Sequence, residues 1–211
     1  MKKTYTILLA CVLANTIAYA QEVDFEEFLN DFYLVNNVTY EKPRYFAEIR
    51  EGLVKKFLPL PLPICSKEKA NDWRAASKWE TDGMNVVFAE RYINAPCDEE
   101  GCPWREGWLV SYDNSGNLID YILAVKSGDR YVHEIKGTLS PMRITVEFAA
   151  ISKETMRNKH SDAKAIPCVV AFFDVFMDSN GHFHKTKNRM DAKGQLVWNK
   201  EKQKYDIKVA E

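Results

Sequence analysis

Cys97-Asp-Glu-Glu-Gly-Cys102 is the stretch whose residue types and spacing come nearest to chemistry. The two thiols bracket Asp98, Glu99, Glu100 and Gly101, and Pro96 and Pro103 flank them. In an oxidising compartment this spacing suits a small disulfide loop, with Gly101 easing the bend. Cys65 and Cys168 then remain for a long-range bridge, one of several connectivities open to the cysteines. Zinc is not expected, because paired ligands favour a shorter gap than the four residues here. A redox role wants Cys-x-x-Cys, which the chain lacks.

The other candidates are weaker. His182-x-His184 sets two imidazoles on one face of a strand, the right period for shared metal ligation. A third ligand has to come from His133, His160 or Asp174, and two exposed histidines beside a turn are the simpler expectation. Asp113, Ser115, Asn117 and Asp120 string oxygens along one loop. A calcium-binding EF-hand loop needs its glycine later and a closing glutamate, so an ordinary hairpin is expected. No nucleophile elbow, zinc-protease helix or phosphate-cradling glycine loop is present in the sequence. Glu80, Glu90, Glu134 and Glu147 lie in or beside apolar stretches, where paired carboxylates could form. Five tryptophans, ten tyrosines and eleven phenylalanines exceed what a minimal core needs. Trp73, Trp79, Trp104 and Trp108 flank the cysteine loop, and exposed tryptophans there could stack on sugars or anchor a protein. The candidate binding set is therefore Trp104, Trp108, Asp98, Glu99 and Glu100; no catalytic residue, metal or cofactor is expected.

The compartment that licenses the disulfide reading is written in residues 1–20. Lys2 and Lys3 precede an apolar run from Ile7 to Ala14, and Ala18-Tyr19-Ala20 fits a signal-peptidase site. The expected mature chain starts at Gln21 and is secreted or periplasmic. Leu8-Leu9-Ala10-Cys11 also fits a lipobox, so lipid anchoring through Cys11 is the alternative. No later stretch is apolar enough to span a membrane. Loss of Lys2 and Lys3 takes the net charge from −1 to −3. Bases and acids interleave, which gives no reason to expect nucleic acid as a partner.

Residues 21–211 read as one globular domain that must position these groups. Val23 to Val35 and Pro43 to Phe57 carry apolar residues at helical spacing, with Asp24 and Glu27 as a capping box for the first. Leu58 to Ile64, with prolines at 59, 61 and 63, reads as an extended, polyproline-like strap. From Gly83 onward short β-branched and aromatic runs alternate with turns. Asp113…Gly116, Asp178…Gly181 and Asp191…Gly194 share one turn chemistry, and Ser127-Gly128-Asp129 reads as a further hairpin. Ser152–Ala165 is the longest expected loop. The fold class is α+β, with N-terminal helices (23–57) packed on an antiparallel meander of roughly eight strands (83–211).

Phe25-Glu-Glu-Phe-Leu29, Leu53-Val-Lys-Lys-Phe-Leu58 and Trp108-Leu-Val-Ser-Tyr-Asp-Asn-Ser-Gly-Asn-Leu-Ile-Asp120 together resemble uncharacterised secreted proteins of Bacteroidota-type bacteria. The resemblance covers scattered parts of residues 21–125. It implies a bacterial exported domain, makes Asn37-Val-Thr39 a chance sequon, and transfers no functional residue. The leading expectation is a non-enzymatic binding or accessory protein of the cell envelope, with an envelope protein or glycan as partner. The alternatives are a secreted hydrolase whose acids converge only in the fold, and an inhibitor or immunity protein presenting the acidic Cys97–Cys102 loop.

Overall fold

A computed structural model describes residues 24–34, 47–61, 71–81, 83–93, 104–128, 131–136, 143–151, 165–201 and 204–210. Two short helices lead, α1 (24–30) and α2 (Glu51–Phe57). The strands are β1 (Tyr33–Leu34), β2 (Ala47–Glu48), β3 (Asn71–Thr81), β4 (Met84–Ile93), β5 (Trp104–Asp113), β6 (Leu118–Gly128), β7 (Tyr131–Lys136), β8 (Arg143–Ala150), β9 (Ala165–Met177), β10 (Phe183–Asn199) and β11 (Lys204–Val209). They form two sheets, ordered β1-β3-β4-β5-β6 with β2 also on β3, and β11-β10-β9-β8-β7. The ladders are antiparallel except β1 on β3, which is parallel.

The first sheet is a middle layer. Val86 to Ala89 is a continuous apolar run, the mark of a strand covered on both faces, and all four side chains are fully buried. Val87 and Ala89 join Trp73, Ala75, Trp108, Val110 and Tyr112 under the helices. Val86 and Phe88 join Ala76, Trp79 and Leu109 against Ile144, Val146, Phe173 and Val175 of the second sheet. Trp73 and Trp79 have the same parity yet serve opposite cores. A bulge between Ala75 and Ser77 inserts the extra residue that flips the face. In the second sheet β9 buries Phe173, Val175 and Met177 toward the first sheet. Its earlier half buries the opposite face, Ile166, Cys168 and Val170, in a separate core with Leu196 and Ala149.

Several sequence expectations change. Over residues 83–211 the described residues carry eight strands, β4–β11, as expected, but these are divided between two sheets, and β3 (Asn71–Thr81) precedes them. The helix expected over Pro43–Phe57 covers only Glu51–Phe57. Ala47 and Glu48 instead pair with Ala75 and Arg74, and Ile49 N–H bonds the Trp73 carbonyl. The first helix stops at residue 30, and Tyr33–Leu34 then runs along Ser77–Lys78. Asp24 lies inside the helix rather than at its cap; it accepts from Lys56 Nζ at 2.6 Å, and Glu27 pairs with Arg50. Both acids tie α1 to the α2 segment.

The turn chemistry divides. Asp113 and Asp178 open two nearly identical turns. The Asp113 Oδ1 accepts from the Ser115 and Asn117 amides at 2.9 Å, and the Asp178 Oδ1 from those of Asn180 and His182 at 2.8 and 3.0 Å. Gly116 and Gly181 sit at φ +81° and +85°, where a side chain strains the backbone. Asp191…Gly194 is no hairpin: β10 runs through it, absorbing the irregularity in bulges between Lys187 and Ala192. Gly194 answers to close packing, since a Cβ there would lie 2.7 Å from the Lys208 carbonyl oxygen. Ser127–Gly128 is also no hairpin. β6 pairs with β5 up to Gly128 and β7 pairs with β8, so the chain crosses here from one sheet to the other.

Leu58 to Pro61 is bent rather than polyproline-like. The Leu60 amide donates to the Leu58 carbonyl at 2.7 Å, which closes a γ-turn around Pro59. Leu58 and Leu60 thereby both enter the helix-side core while Pro59 and Pro61 stay exposed.

Candidate functional site

Of the two tryptophans expected to serve binding, Trp104 and Trp108, the second is buried. Its ring packs in the helix-side core and its Nε1 donates to Glu106 Oε2 at 3.1 Å. Arg91, across the ladder from Glu106, is 2% exposed. Its guanidinium lies 5.0 Å from the Trp73 ring and 5.4 Å from that of Trp108. Nε and Nη2 both donate to Glu106 Oε2, and Nη1 donates to the Pro61 carbonyl at 2.8 Å. This is a buried ion pair walled by two indoles. Its third bond pins the segment after α2 to the sheet. Trp104 opens β5 opposite Ile93 and Gly128. Cys65, Cys97, Asp98, Glu99, Glu100 and Cys102 lie outside the described residues, as do Cys11 and the signal segment.

Cys168, expected in the second disulfide, is a free thiol buried in the β9–β10 core, and Cys65 lies outside the described residues. Burial pushes that thiol up from its ordinary value, and the nearby Glu147 charge pushes it further. The environment disfavours thiolate chemistry.

Two of the four acids share a cross-strand register position. Glu134 on β7 and Glu147 on β8 are directly opposite in register, and Glu147 is 4% exposed. Glu90 is buried beside Arg105 Nη1 at 3.4 Å, and Glu80 is exposed near Lys78. Asp174, buried on β9, takes Arg143 Nη2 at 2.5 Å and the Thr145 hydroxyl at 2.7 Å. These arginine pairs fix carboxylates that lie within the sheets.

The histidines sit where the β9–β10 turn meets the first sheet. His184 Nε2 is 2.9 Å from Asp178 Oδ2, and its ring stacks on Phe176. His182 Nδ1 is 3.8 Å from Asp120 Oδ2. The Ser111 hydroxyl donates to the Gly181 carbonyl at 2.6 Å and the Phe183 amide to Asp120 at 2.8 Å, which docks the turn. Among the described residues no group of three or more His, Cys, Asp or Glu is arranged to hold a metal. Bonds from His184, and from the His182 and Asn180 amides, lower the Asp178 carboxyl to about 2. A depressed carboxyl stabilises the fold above its ordinary value of 3.8 and loses that contribution as pH falls through about 2. The difference in thermal midpoint between the parent and Asp178→Asn should therefore shrink over this acidic range. A difference independent of pH would show that the carboxylate has no such role.

The exposed aromatic surface is elsewhere, and Trp198 is the residue sequence reasoning passed over. It is 39% exposed on β10 and packs edge-on against Tyr205 of β11, with ring centroids 5.0 Å apart. The two are direct ladder partners. The signal available in the sequence was Trp198 and Tyr205 bracketing a short polar, lysine-rich turn. Among the described residues no helix is long and apolar enough to cross a membrane. No protein family, no curated protein and no solved structure matches this chain.

Proposed function

We propose that the protein is an exported, non-enzymatic binding or accessory protein of the bacterial cell envelope, whose partner is an envelope protein or a glycan. The address comes from the leader-like residues 1–20. The observation that carries the binding reading is the Trp198–Tyr205 pair. Trp73, Trp79 and Trp108 are spent in the cores, whereas Trp198 is 39% exposed and rests edge-on against the partly buried Tyr205. Such rings suit stacking on a sugar or anchoring in a partner's pocket. A glycan array and affinity capture from envelope extract, each with the parent and Trp198→Ala, test it. Binding should fall at least about tenfold in the variant, as for an interface anchor. Silence from both assays, or binding indifferent to the substitution, overturns the reading. The opposed Glu134 and Glu147 support a second reading, a hydrolase; glycan cleavage that Glu147→Gln abolishes would favour it.

A further inference from the structure

Among the described residues strand β11 closes the order of the second sheet, and its residues are complementary to themselves. The Ala210 amide donates to the Lys193 carbonyl at 2.8 Å, and the ladder sets Lys208 against Gln195 and Asp206 against Val197. In an antiparallel ladder, residues bonding toward one neighbour alternate with residues bonding away from it. Lys204, Asp206, Lys208 and Ala210 therefore turn their backbone groups to β10. Tyr205, Ile207 and Val209 turn theirs to the outer edge. The same three side chains lie on the core face with Leu196, while Asp206 and Lys208 take the other face.

We propose that a second copy of this chain adds its β11 antiparallel to this one, across a two-fold axis at Ile207, so that the second sheet continues from copy to copy. In this register every outward backbone group meets another outward group. Ile207 faces Ile207 of the second copy and Tyr205 faces Val209, which extends the apolar face of the β9–β10 core across the axis. Asp206 faces Lys208 on both sides of the axis. Axes at Asp206 and Lys208 fail on charge, and axes at Tyr205 or Val209 pair only one end of the strand. An axis at Asp206 sets that carboxylate against itself and Lys204 against Lys208, and an axis at Lys208 opposes two lysines. Like charges at opposed positions are destabilising. An axis between residues sets outward groups against inward ones. Edge lysines ordinarily guard a sheet against indiscriminate strand addition. Here the register that pairs the whole of β11 sets Lys208 against Asp206, and a two-fold pairing closes on itself as a dimer. Tyr205 belongs both to this edge and to the Trp198–Tyr205 pair, and the two readings are tested by different variants, Asp206→Lys here and Trp198→Ala for binding.

Sedimentation velocity of the purified protein, from low to high micromolar, is the test. The parent should approach twice the monomer mass. Asp206→Lys turns both opposite-charge pairs into like-charge pairs and should weaken the dimer about tenfold or more. Adding Lys208→Asp to that variant restores opposite charges and should restore the dimer. Ile207→Pro removes an outward N–H and spares the β10 ladder, so it should give a monomer with an unchanged strand signal in circular dichroism. A parent that stays monomeric overturns the proposal. So does a dimer unmoved by Asp206→Lys, or a double variant that fails to re-form one while folded.

Discussion

Arg91→Ala is expected to destabilise the protein by about 3–5 kcal/mol, the cost of removing one partner from a buried ion pair. Glu106 is 5% exposed, and the substitution takes away the cation that both Nε and Nη2 supply. The indole donor of Trp108 cannot replace a full positive charge. Two further losses add to the first. The Trp73 and Trp108 rings lose the flat cation between them, and the Pro61 carbonyl loses its donor. Replacing both charges should be milder. Arg91→Met with Glu106→Leu leaves no buried charge, and such exchanges are often close to neutral. Urea unfolding of the single and double variants decides between these outcomes. A single variant no less stable than the double would mean that the buried pair is not what holds this region.

Local chemistry was legible in the sequence where it was sufficient by itself. Asp113 and Asp178 each close a turn with their own carboxylate, and Gly116 and Gly181 supply the positive φ, so four residues contain the whole reason. Asp191…Gly194 has the same letters and a different outcome. There β9 and β11 flank β10 on both sides, and continuous pairing outweighs a turn preference worth little. Strand β3 was hidden for a related reason. Ala75, Ala76, Ser77, Lys78 and Glu80 have modest strand preference, but the alanines are what the two cores can accommodate under the helices and beside Phe88. The same logic misplaced the binding tryptophan. Proximity to the cysteine loop drew attention to Trp108, whereas alternation along β5 sends it to the helix-side core with Val110 and Tyr112. Exposure of Trp198 depends on which strand ends the sheet, and that is a property of pairing between distant segments. The Glu134–Glu147 opposition is likewise a matter of register. No local pattern encodes it.

Phe28→Ala is expected to cost about 3–5 kcal/mol, the range for truncating a fully buried aromatic side chain. Phe28 is 0% exposed and is the hub of the helix-side core. Its ring lies 5.0 Å from both Phe32 and Phe57, 5.9 Å from Tyr112 and 6.2 Å from Phe25. Tyr112 holds one wall of that hub in place, because its hydroxyl donates to the Phe57 carbonyl, and burial keeps the phenol protonated by pushing it well above 10. The effect should also be local. Helix α1 has seven residues, far short of what an isolated helix needs in water, so its structure depends on this docking. The inter-sheet core shares no member with the helix-side core, and the first sheet separates them. Amide exchange in the variant should therefore accelerate across residues 24–34 and at the edge of β3 that pairs with Tyr33 and Leu34. Exchange in β8 and β9 should remain slow, because Val146 and Val175 keep their packing against Phe88 and Leu109. Uniform acceleration in both sheets would mean that the helices and the sheets unfold as one unit, and that the first sheet transmits the loss of Phe28 to its other face.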